Sequence, residues 1–295
     1  MALLRTSETV SRGISAVLHE DEAAHRHWRL EDIGLERLDR AAVADDMFAF
    51  RIVSMASFIE SGSDLYAGNL VDFFVGDAEV RNWVSQSWEP EELQHGAALR
   101  AYIERAWPDF RWEERFRAFL ADYSPTCAVS LLEPTRALEL AARCIVEMGT
   151  SVFYRTLHES TREPVLKVLA GHIYADEVRH YKTFYRHFRR YQQRERQSRI
   201  RIGGTLIRRL VATKSEDGRM AYRQHWDFRR PQPHESFDAS YARFAREMTR
   251  LFRRHLPADM VTRMILNPLA LPASVADTAA RFSAPLYQLW LAVGR

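Results

Sequence analysis

The sequence predicts an all-α protein, a four-helix bundle with additional helices at its N- and C-terminal ends. Three observations predict this fold class. Glycine is scarce, with 12 residues in a chain of 295. Apolar residues recur at every third or fourth position, the period of an amphipathic helix, and strand-like alternation is rare. Hydrophobic residues make up 46% of the chain and charged residues 27%, the balance of a folded globular protein.

The helices that we expect in the core follow one another along the chain. Residues 134–158 and 163–197 predict two long helices, and Pro164 suits the first turn of the second. Trp88-Glu89-Pro90 predicts a break, and residues 236–256 predict a helix near the C-terminus. The first core helix is indicated by apolar residues on one face, namely Phe48, Ile52, Met55 and Ile59.

These patterns divide the chain into three regions. Residues 1–45 form an N-terminal helical extension, residues 46–197 the four-helix core, and residues 198–295 a C-terminal helical region that packs on the core. We find no internal repeat of the solenoid type, although two segments share one motif.

The composition excludes several classes of protein. Two cysteines, Cys127 and Cys144, are too few for a disulfide scaffold or for a four-thiolate rubredoxin or zinc ribbon. The longest uncharged apolar run, from Phe282 to Val293, is interrupted by Pro285 and falls short of the roughly 18 residues of a membrane helix. The first residues lack the apolar core of a signal peptide, so we expect a cytoplasmic protein.

A Glu-x-x-His motif occurs at Glu92–His95 and again at Glu177–His180. On an α-helix such residues lie about 60° apart around the axis and roughly 4.5 Å apart along it, so both side chains can bind one metal ion. A third copy, Glu22–His25, has no carboxylate partner upstream and is interpreted as part of a solvated helix.

Each of the first two motifs follows a glutamate in an apolar segment. Glu60 precedes Glu92 by 32 residues, and Glu147 precedes Glu177 by 30. Antiparallel helices joined by a short turn would bring these residues together. A carboxylate on an apolar helix face is unstable unless it is neutralised, paired or metal-bound. The alternative is that arginines such as Arg51 and Arg143 pair with these carboxylates.

Glu, Glu-x-x-His, Glu and Glu-x-x-His on four helices form the ligand pattern of ferritin-like di-iron bundles. Mixed oxygen and nitrogen ligands suit iron or manganese better than structural zinc. Either Glu92 and Glu177 or, in preference, Glu60 and Glu147 from the other two helices would bridge or chelate the two ions, and the spacing does not decide between them. The predicted ligands are Glu60, Glu92, His95, Glu147, Glu177 and His180.

Residues 46–187 resemble one family, the soluble acyl-carrier-protein desaturases of the ferritin-like di-iron superfamily. Residues 88–96, WEPEELQHG, are similar to the W-x-x-E-E-x-x-H-G block of that family, and Asp176–His180 is similar to its D-E-x-R-H block. The second block also occurs in bacterial multicomponent monooxygenases. Thr150 follows Glu147 as a threonine follows a ligand glutamate in the family, where it lies beside the oxygen-binding face of the metals.

The resemblance implies a di-iron enzyme, with manganese at one position as a variant, that uses O2 to desaturate or hydroxylate a long acyl chain, free or bound to a carrier protein. It also implies a homodimer and an external electron donor such as a ferredoxin. Thr150 would be catalytic, guiding oxygen chemistry through a hydrogen bond or a proton. Its alternative is an ordinary helix hydroxyl bonded to the carbonyl of Val146.

Other functions stay open at this point. A di-iron oxygenase of another small molecule or of a tRNA nucleoside would keep all six ligands. A non-catalytic ferritin-like protein would bind metal and lipid without turnover. An iron oxidase of the ferritin or rubrerythrin type is disfavoured by the length and by the two cysteines. Aromatic residues near the ligands either line an apolar channel or belong to the core, namely Phe58, Phe73, Phe74, Phe153, Tyr154 and Phe184.

Between Arg179 and Arg209 the chain carries eleven arginines or lysines and one acidic residue, Glu195. Such a stretch favours an anionic partner. We expect an acidic acyl carrier protein to dock on Arg189, Arg190 and Arg194, beside the metal site. RNA, a membrane surface and a merely solvated helix face are the alternatives.

Overall fold

The computed structural model describes residues 27–212, 217–229, 234–272, 274–281 and 283. These residues form helices and connecting turns without any strand, so the all-α prediction is confirmed for them. The ferritin-like bundle and the three predicted regions stay predictions. The Glu22–His25 motif and most of the apolar run at 282–293 lie outside the described residues.

The part of the chain that the structure describes contains the α-helices α1 to α12, in chain order. Their bounds are α1 Arg40–Val43, α2 Met47–Ser61, α3 Ser63–Phe73, α4 Ala78–Trp83, α5 Glu89–Ala106, α6 Trp112–Tyr123, α7 Arg136–Ser160, α8 Pro164–Glu195, α9 Arg199–Ala212, α10 Asp217–Arg223, α11 Phe237–His255 and α12 Ala258–Leu266. Residues 274–281 are helical as well. The shorter elements are 3-10 turns at Leu30–Ile33, Leu35–Arg37, Ser124–Thr126, Val129–Leu131 and Asn267–Leu269, and a π-helical segment at Val84–Trp88.

Two long helices, α7 and α8, begin and end close to their predicted bounds. Pro164 occupies the first turn of α8, where its missing N–H costs no hydrogen bond. The carboxylate of Glu163 caps that turn by accepting from the N–H groups of Val165 and Leu166. The helix ends at Arg196, whose φ of 50° is left-handed and stops further helical bonding.

The predicted break at Trp88-Glu89-Pro90 is not a loop. The helical path continues from α4 through the π-helical segment Val84–Trp88 into α5. Pro90 lies in the first turn of α5, where a proline is tolerated. Trp88 is buried in this arrangement. The proline therefore marks a change of helix geometry and not the end of the helix.

The helices with the predicted ligands form two pairs. Helix α2 lies against α5, α7 lies against α8, and α5 also packs on α8. Leu138, Ile145 and Phe184 belong to the buried apolar cluster between them. Helices α9 and α12 cover α7 from outside. The chain divides into two units, residues 33–295 and residues 1–32, and residues 27–32 of the second are described.

Gly96 lets α2 and α5 approach closely beside the first motif. A Cβ atom at Gly96 would lie 2.7 Å from the backbone nitrogen of Ser61 and 2.8 Å from its Cα atom. These are backbone atoms, so the two helices would have to separate. The glycine after His95 is therefore explained by a helix contact one residue from Glu60.

Gly96→Ala is expected to destabilise the protein by about 1–3 kcal/mol, because overpacking displaces a backbone. Thermal unfolding measures the effect. Gly149→Ala is the matched control, since a Cβ atom there meets no atom within 4 Å. That control should stabilise α7 by about 0.5–1 kcal/mol. Equal melting temperatures for the two variants would contradict the close approach.

Every helix in the described residues is too short or too polar to cross a membrane.

Candidate metal centre

The six predicted ligand residues converge in the interior of the protein. They form two groups in which one potential ligand atom per residue lies within 4.8 Å of the others. Each side chain is buried, and the most exposed of the six residues, Glu92, retains 6% of its surface. The first group is Glu60, Glu92, His95 and Glu177, and the second is Glu92, Glu147, Glu177 and His180.

Glu92 and Glu177 are the two carboxylates that both groups share, whereas Glu60 and Glu147, the pair preferred from the sequence, each belong to one group. Glu60 with His95 lies on one side of them, and Glu147 with His180 lies on the other. The arrangement brings residues of α2, α5, α7 and α8 to one point.

The two histidines are held in equivalent ways. Nδ1 of His95 lies 3.3 Å from Glu177 Oε1, whereas its Nε2 lies 3.0 Å from Asp176 Oδ2. Nδ1 of His180 lies 3.0 Å from Glu92 Oε1, whereas its Nε2 lies 2.7 Å from the carboxylate of Glu91. An ionised carboxylate only accepts hydrogen bonds, so in the neutral imidazole Nε2 carries the proton and Nδ1 keeps its lone pair for the centre.

Each outer carboxylate contacts the histidine of the other helix. Asp176 on α8 binds the histidine of α5, and Glu91 on α5 binds the histidine of α8. Arg179 joins the two acids, since its guanidinium donates to Glu91 at 2.9 Å and to Asp176 at 2.7 Å. The basic stretch had predicted a docking surface that begins at Arg179. Arg179 is instead a half-buried structural residue.

Sequence reasoning did not assign these outer residues a function. Glu91 and Asp176 were noted only as letters of the two blocks that carry the family resemblance. A signal was present, because both motifs carry an acid directly before the ligand glutamate. Each acid contacts a histidine that lies 81 or 89 residues away in the chain. The spacing within one motif could therefore not show this contact.

Burial shifts the pKa values of the terminal carboxylates. It raises the pKa of Glu60 well above its usual range, and the charges of Glu92 and Glu177 add to the rise. Burial also raises the pKa of Glu147 to about 7, against the opposing effect of Arg143.

The central and imidazole groups respond to their neighbours. Burial alone would raise the pKa of Glu177, but the close imidazoles of His180 and His95 outweigh it and hold that pKa below its usual range. Burial alone would lower the pKa of His95 and His180, but the nearby carboxylates outweigh it and raise the pKa of both histidines. The centre is therefore an electrostatically coupled set of groups.

The polar atoms of the centre fit divalent cations. Within the described part of the chain, Glu92 Oε1, Glu177 Oε1 and His180 Nδ1 are buried, and their close contacts with one another and with His95 do not have hydrogen-bond geometry. Such atoms are destabilising unless something binds them. Four carboxylates carry a charge that two divalent ions would neutralise, and oxygen with imidazole nitrogen is a donor set for iron or manganese. The residues are close enough to hold a metal ion.

Arginine pairing, the alternative to metal binding, applies to one ligand. Nη2 of Arg143 donates to Glu147 Oε1 at 2.6 Å, and Arg143 is itself buried. Arg51 is also buried, but its Nε and Nη2 have no hydrogen-bond partner among the described residues. Glu60 is instead held by Tyr154, whose hydroxyl donates to it at 2.5 Å. The two sides of the centre thus differ, with a cation beside one and a phenol beside the other.

Thr150 makes two kinds of contact, one within its own helix and one with a carboxylate of the centre. Its hydroxyl lies 3.3 Å from the carbonyl oxygen of Val146 and 3.1 Å from that of Glu147, as in an ordinary helix. It also lies 2.6 Å from Glu177 Oε2 and donates a hydrogen bond to it. The threonine therefore contacts a shared carboxylate of the centre.

The aromatic residues proposed for a channel lie in different surroundings. Phe184 is buried against Trp88, with ring centroids 5.7 Å apart, and Trp88 in turn lies 6.4 Å from the ring of His180. Phe58 stacks on Phe119 in a separate aromatic cluster. Phe73 and Phe74 contact each other, as do Phe153 and Tyr154. Lining of a channel stays a prediction for these side chains.

The basic stretch is partly engaged within the protein. Arg190 pairs with Asp77 and Glu79, so it is not free to bind a partner as expected. Arg189 and Arg194 are exposed. A docking test that reverses Arg190 would also break these ion pairs, and Arg189 and Arg194 are the residues to change.

No known protein family matches this chain, and no curated protein is similar to it in sequence.

Proposed function

We propose that this chain holds two iron ions and uses O2 to desaturate or hydroxylate a long acyl chain. The observation that carries the proposal is the pair of buried Glu/His groups that share Glu92 and Glu177. The resemblance of residues 88–96 and 176–180 to acyl-carrier-protein desaturases supports the substrate class. Manganese at one position suits the same ligands.

When bound, the iron pair would supply the oxidising power drawn from O2, as cofactors do in such enzymes. The protein's own contribution is to hold and shield the site. Asp176 and Glu91 orient the two imidazoles, and burial of all six ligands excludes water. Trp88 and Phe184 provide an apolar wall beside His180. These features suit oxidation of an apolar substrate.

The partners follow from the same proposal. An external reductant such as a ferredoxin would supply electrons, and the active species would be a homodimer. The acyl chain would arrive free or on an acidic carrier protein, which would contact the exposed Arg189 and Arg194.

Product analysis tests the activity. Iron-reconstituted protein is incubated with free and carrier-bound acyl chains, O2, and a ferredoxin with its reductase, and mass spectrometry measures the products. We expect loss of a pair of hydrogen atoms or gain of an oxygen atom. Iron-loaded protein that leaves every acyl chain unchanged would contradict the proposal. Oxidation of a tRNA nucleoside or another small molecule would replace it with a different oxygenase.

Thr150→Val is expected to retain iron but to couple O2 use poorly to substrate oxidation. Valine has nearly the same shape but lacks the hydroxyl that donates to Glu177 Oε2. The ratio of hydrogen peroxide released to product formed should rise about tenfold or more, the effect of losing one positioned proton donor.

Thr150→Ser is the matched control, because it keeps the hydroxyl, and it should retain most of the coupling. If the valine variant couples O2 use as well as the natural chain, Thr150 has a structural function only.

A further inference from the structure

Helix α9 exposes an apolar face. Ile200 is 87% exposed, and Ile207 and Val211 are each 64% exposed. These residues are seven and four positions apart, so they share one side of the helix. Ile202, Thr205 and Leu206 on the opposite side are buried against the rest of the protein. Helix α9 is therefore anchored through one face and presents a second apolar face outward.

Two neighbouring turns also carry exposed aliphatic side chains. Glu133 accepts hydrogen bonds from Thr205 and Arg208, which ties the Val129–Leu131 turn to α9. Leu131 in that turn is 62% exposed. Arg136, at the start of α7, donates to the carbonyl oxygen of Val75, whose side chain is 65% exposed.

Six of the ten exposed large hydrophobic side chains of the described residues thus lie on α9, on the Val129–Leu131 turn beside it, or at Val75 next to the start of α7. We call them the α9 surface, and they are Val75, Val129, Leu131, Ile200, Ile207 and Val211. Clustering of exposed apolar side chains at one place indicates an interaction surface.

The α9 surface is also basic. Arg194, Arg196 and Arg201 are exposed around the end of α8 and the start of α9. The nearby acids Glu133 and Glu195 are engaged within the protein, by Arg208 and by the backbone N–H of Ala137. Arg194, Arg196 and Arg201 outnumber the Glu195 carboxylate, so positive charge predominates beside the aliphatic side chains of α9, whereas the exposed Asp72 lies three residues from Val75.

We propose that the α9 surface binds an anionic lipid bilayer. A helix with aliphatic residues on its outer face and arginines at its edges is suited to the membrane interface, where apolar side chains enter the acyl boundary and cations bind lipid phosphates. A second copy of the chain fits less well, because a symmetric contact would bring the arginines of both copies together. An acidic protein would match the arginines but leaves the aliphatic face unexplained. The inference does not depend on the metal centre.

The test is flotation of the full chain with vesicles of phosphatidylcholine alone and of phosphatidylcholine mixed with phosphatidylglycerol. We expect binding to the mixed vesicles and at least about tenfold weaker binding to the neutral ones, because arginines near the surface attract anionic lipids. High salt should weaken the binding. Equal binding to both vesicles, or to neither, would overturn the proposal.

Variants locate the surface. Ile207→Glu with Val211→Glu should lower binding to the mixed vesicles at least about tenfold, because charges replace inserted aliphatic groups. Val168→Glu with Val275→Glu is the matched control, since these valines are 42% and 49% exposed and lie outside the α9 surface. The control should bind as the natural chain does, and circular dichroism should show that all variants are folded.

Two results would show that the α9 surface binds a partner other than a lipid bilayer. If the chain is a dimer that Ile207→Glu dissociates, and does not bind vesicles, the α9 surface is a contact between copies. If an acyl carrier protein binds and Ile207→Glu with Val211→Glu abolishes that binding while vesicles do not bind, the surface serves the carrier protein. Either result overturns the lipid proposal.

Discussion

A chain with Glu92→Ala and Glu177→Ala is expected to lose both metal ions together. Each of the two Glu/His groups contains both of these glutamates, so their removal leaves neither position with more than a carboxylate and an imidazole. The natural chain should bind about two iron ions, the stoichiometry of the six-ligand pattern. Anaerobic reconstitution with iron(II), desalting and elemental analysis measure the content.

Two comparisons make this result specific. Glu147→Ala belongs to one group only and should remove the ion on the His180 side while the other is retained. Glu104→Ala with Glu159→Ala removes two glutamates that belong to neither group and should leave the iron content unchanged. Unchanged stoichiometry in the Glu92, Glu177 double variant would mean that the buried carboxylates do not bind metal.

Arg143→Met is expected to destabilise the metal-free protein by about 3–5 kcal/mol, the effect of removing one partner of a buried ion pair. The guanidinium is 2.6 Å from Glu147 and lies over the ring of Tyr66 at 4.5 Å. Methionine fills similar space but leaves the Glu147 carboxylate buried without its cation. Urea unfolding of metal-free protein measures the loss.

Metal should reverse most of that loss, because a divalent ion can take the place of the guanidinium beside Glu147. A second change, Glu147→Gln, should also restore stability to the Arg143→Met chain by removing the buried charge. Equal destabilisation with and without iron(II) would show that Arg143 stabilises the fold through its apolar contacts and not through Glu147.

The sequence was sufficient for the helices and for the two Glu-x-x-His motifs because both depend on local spacing. Residues three apart on one helix are neighbours in any helical fold, so Glu92 with His95 and Glu177 with His180 could be assigned before the structure was known. The apolar period likewise predicted α7 and α8 to within a few residues. The structure brings all six predicted ligands together.

Contacts between helices were not predictable in the same way. Tyr154 binds Glu60 across 94 positions of the chain, and Arg179 binds Glu91 across 88. No local period relates such residues, and many tyrosines or arginines could have served. Arg179 and Arg190 were therefore grouped with the exposed arginines, although both are half-buried and engaged in ion pairs within the protein.

Local geometry was also misjudged where one residue type serves two purposes. A proline can end a helix or begin one, and Pro90 begins one directly after a π-helical segment. Gly96 lies inside α5 and allows contact with Ser61. The choice depends on what lies against the residue, which the sequence does not state.

Each histidine of the centre is held by an acid from the other helix, so α5 and α8 depend on each other for the orientation of their histidines. His95 depends on Asp176, and His180 depends on Glu91, so each half of the chain carries the acid that the other half needs. A chain cut between α6 and α7 would give two fragments, each with a histidine that lacks its orienting partner. Changes at residues 91 and 176 are therefore constrained jointly, and the two motifs would be expected to vary together among descendants of this sequence.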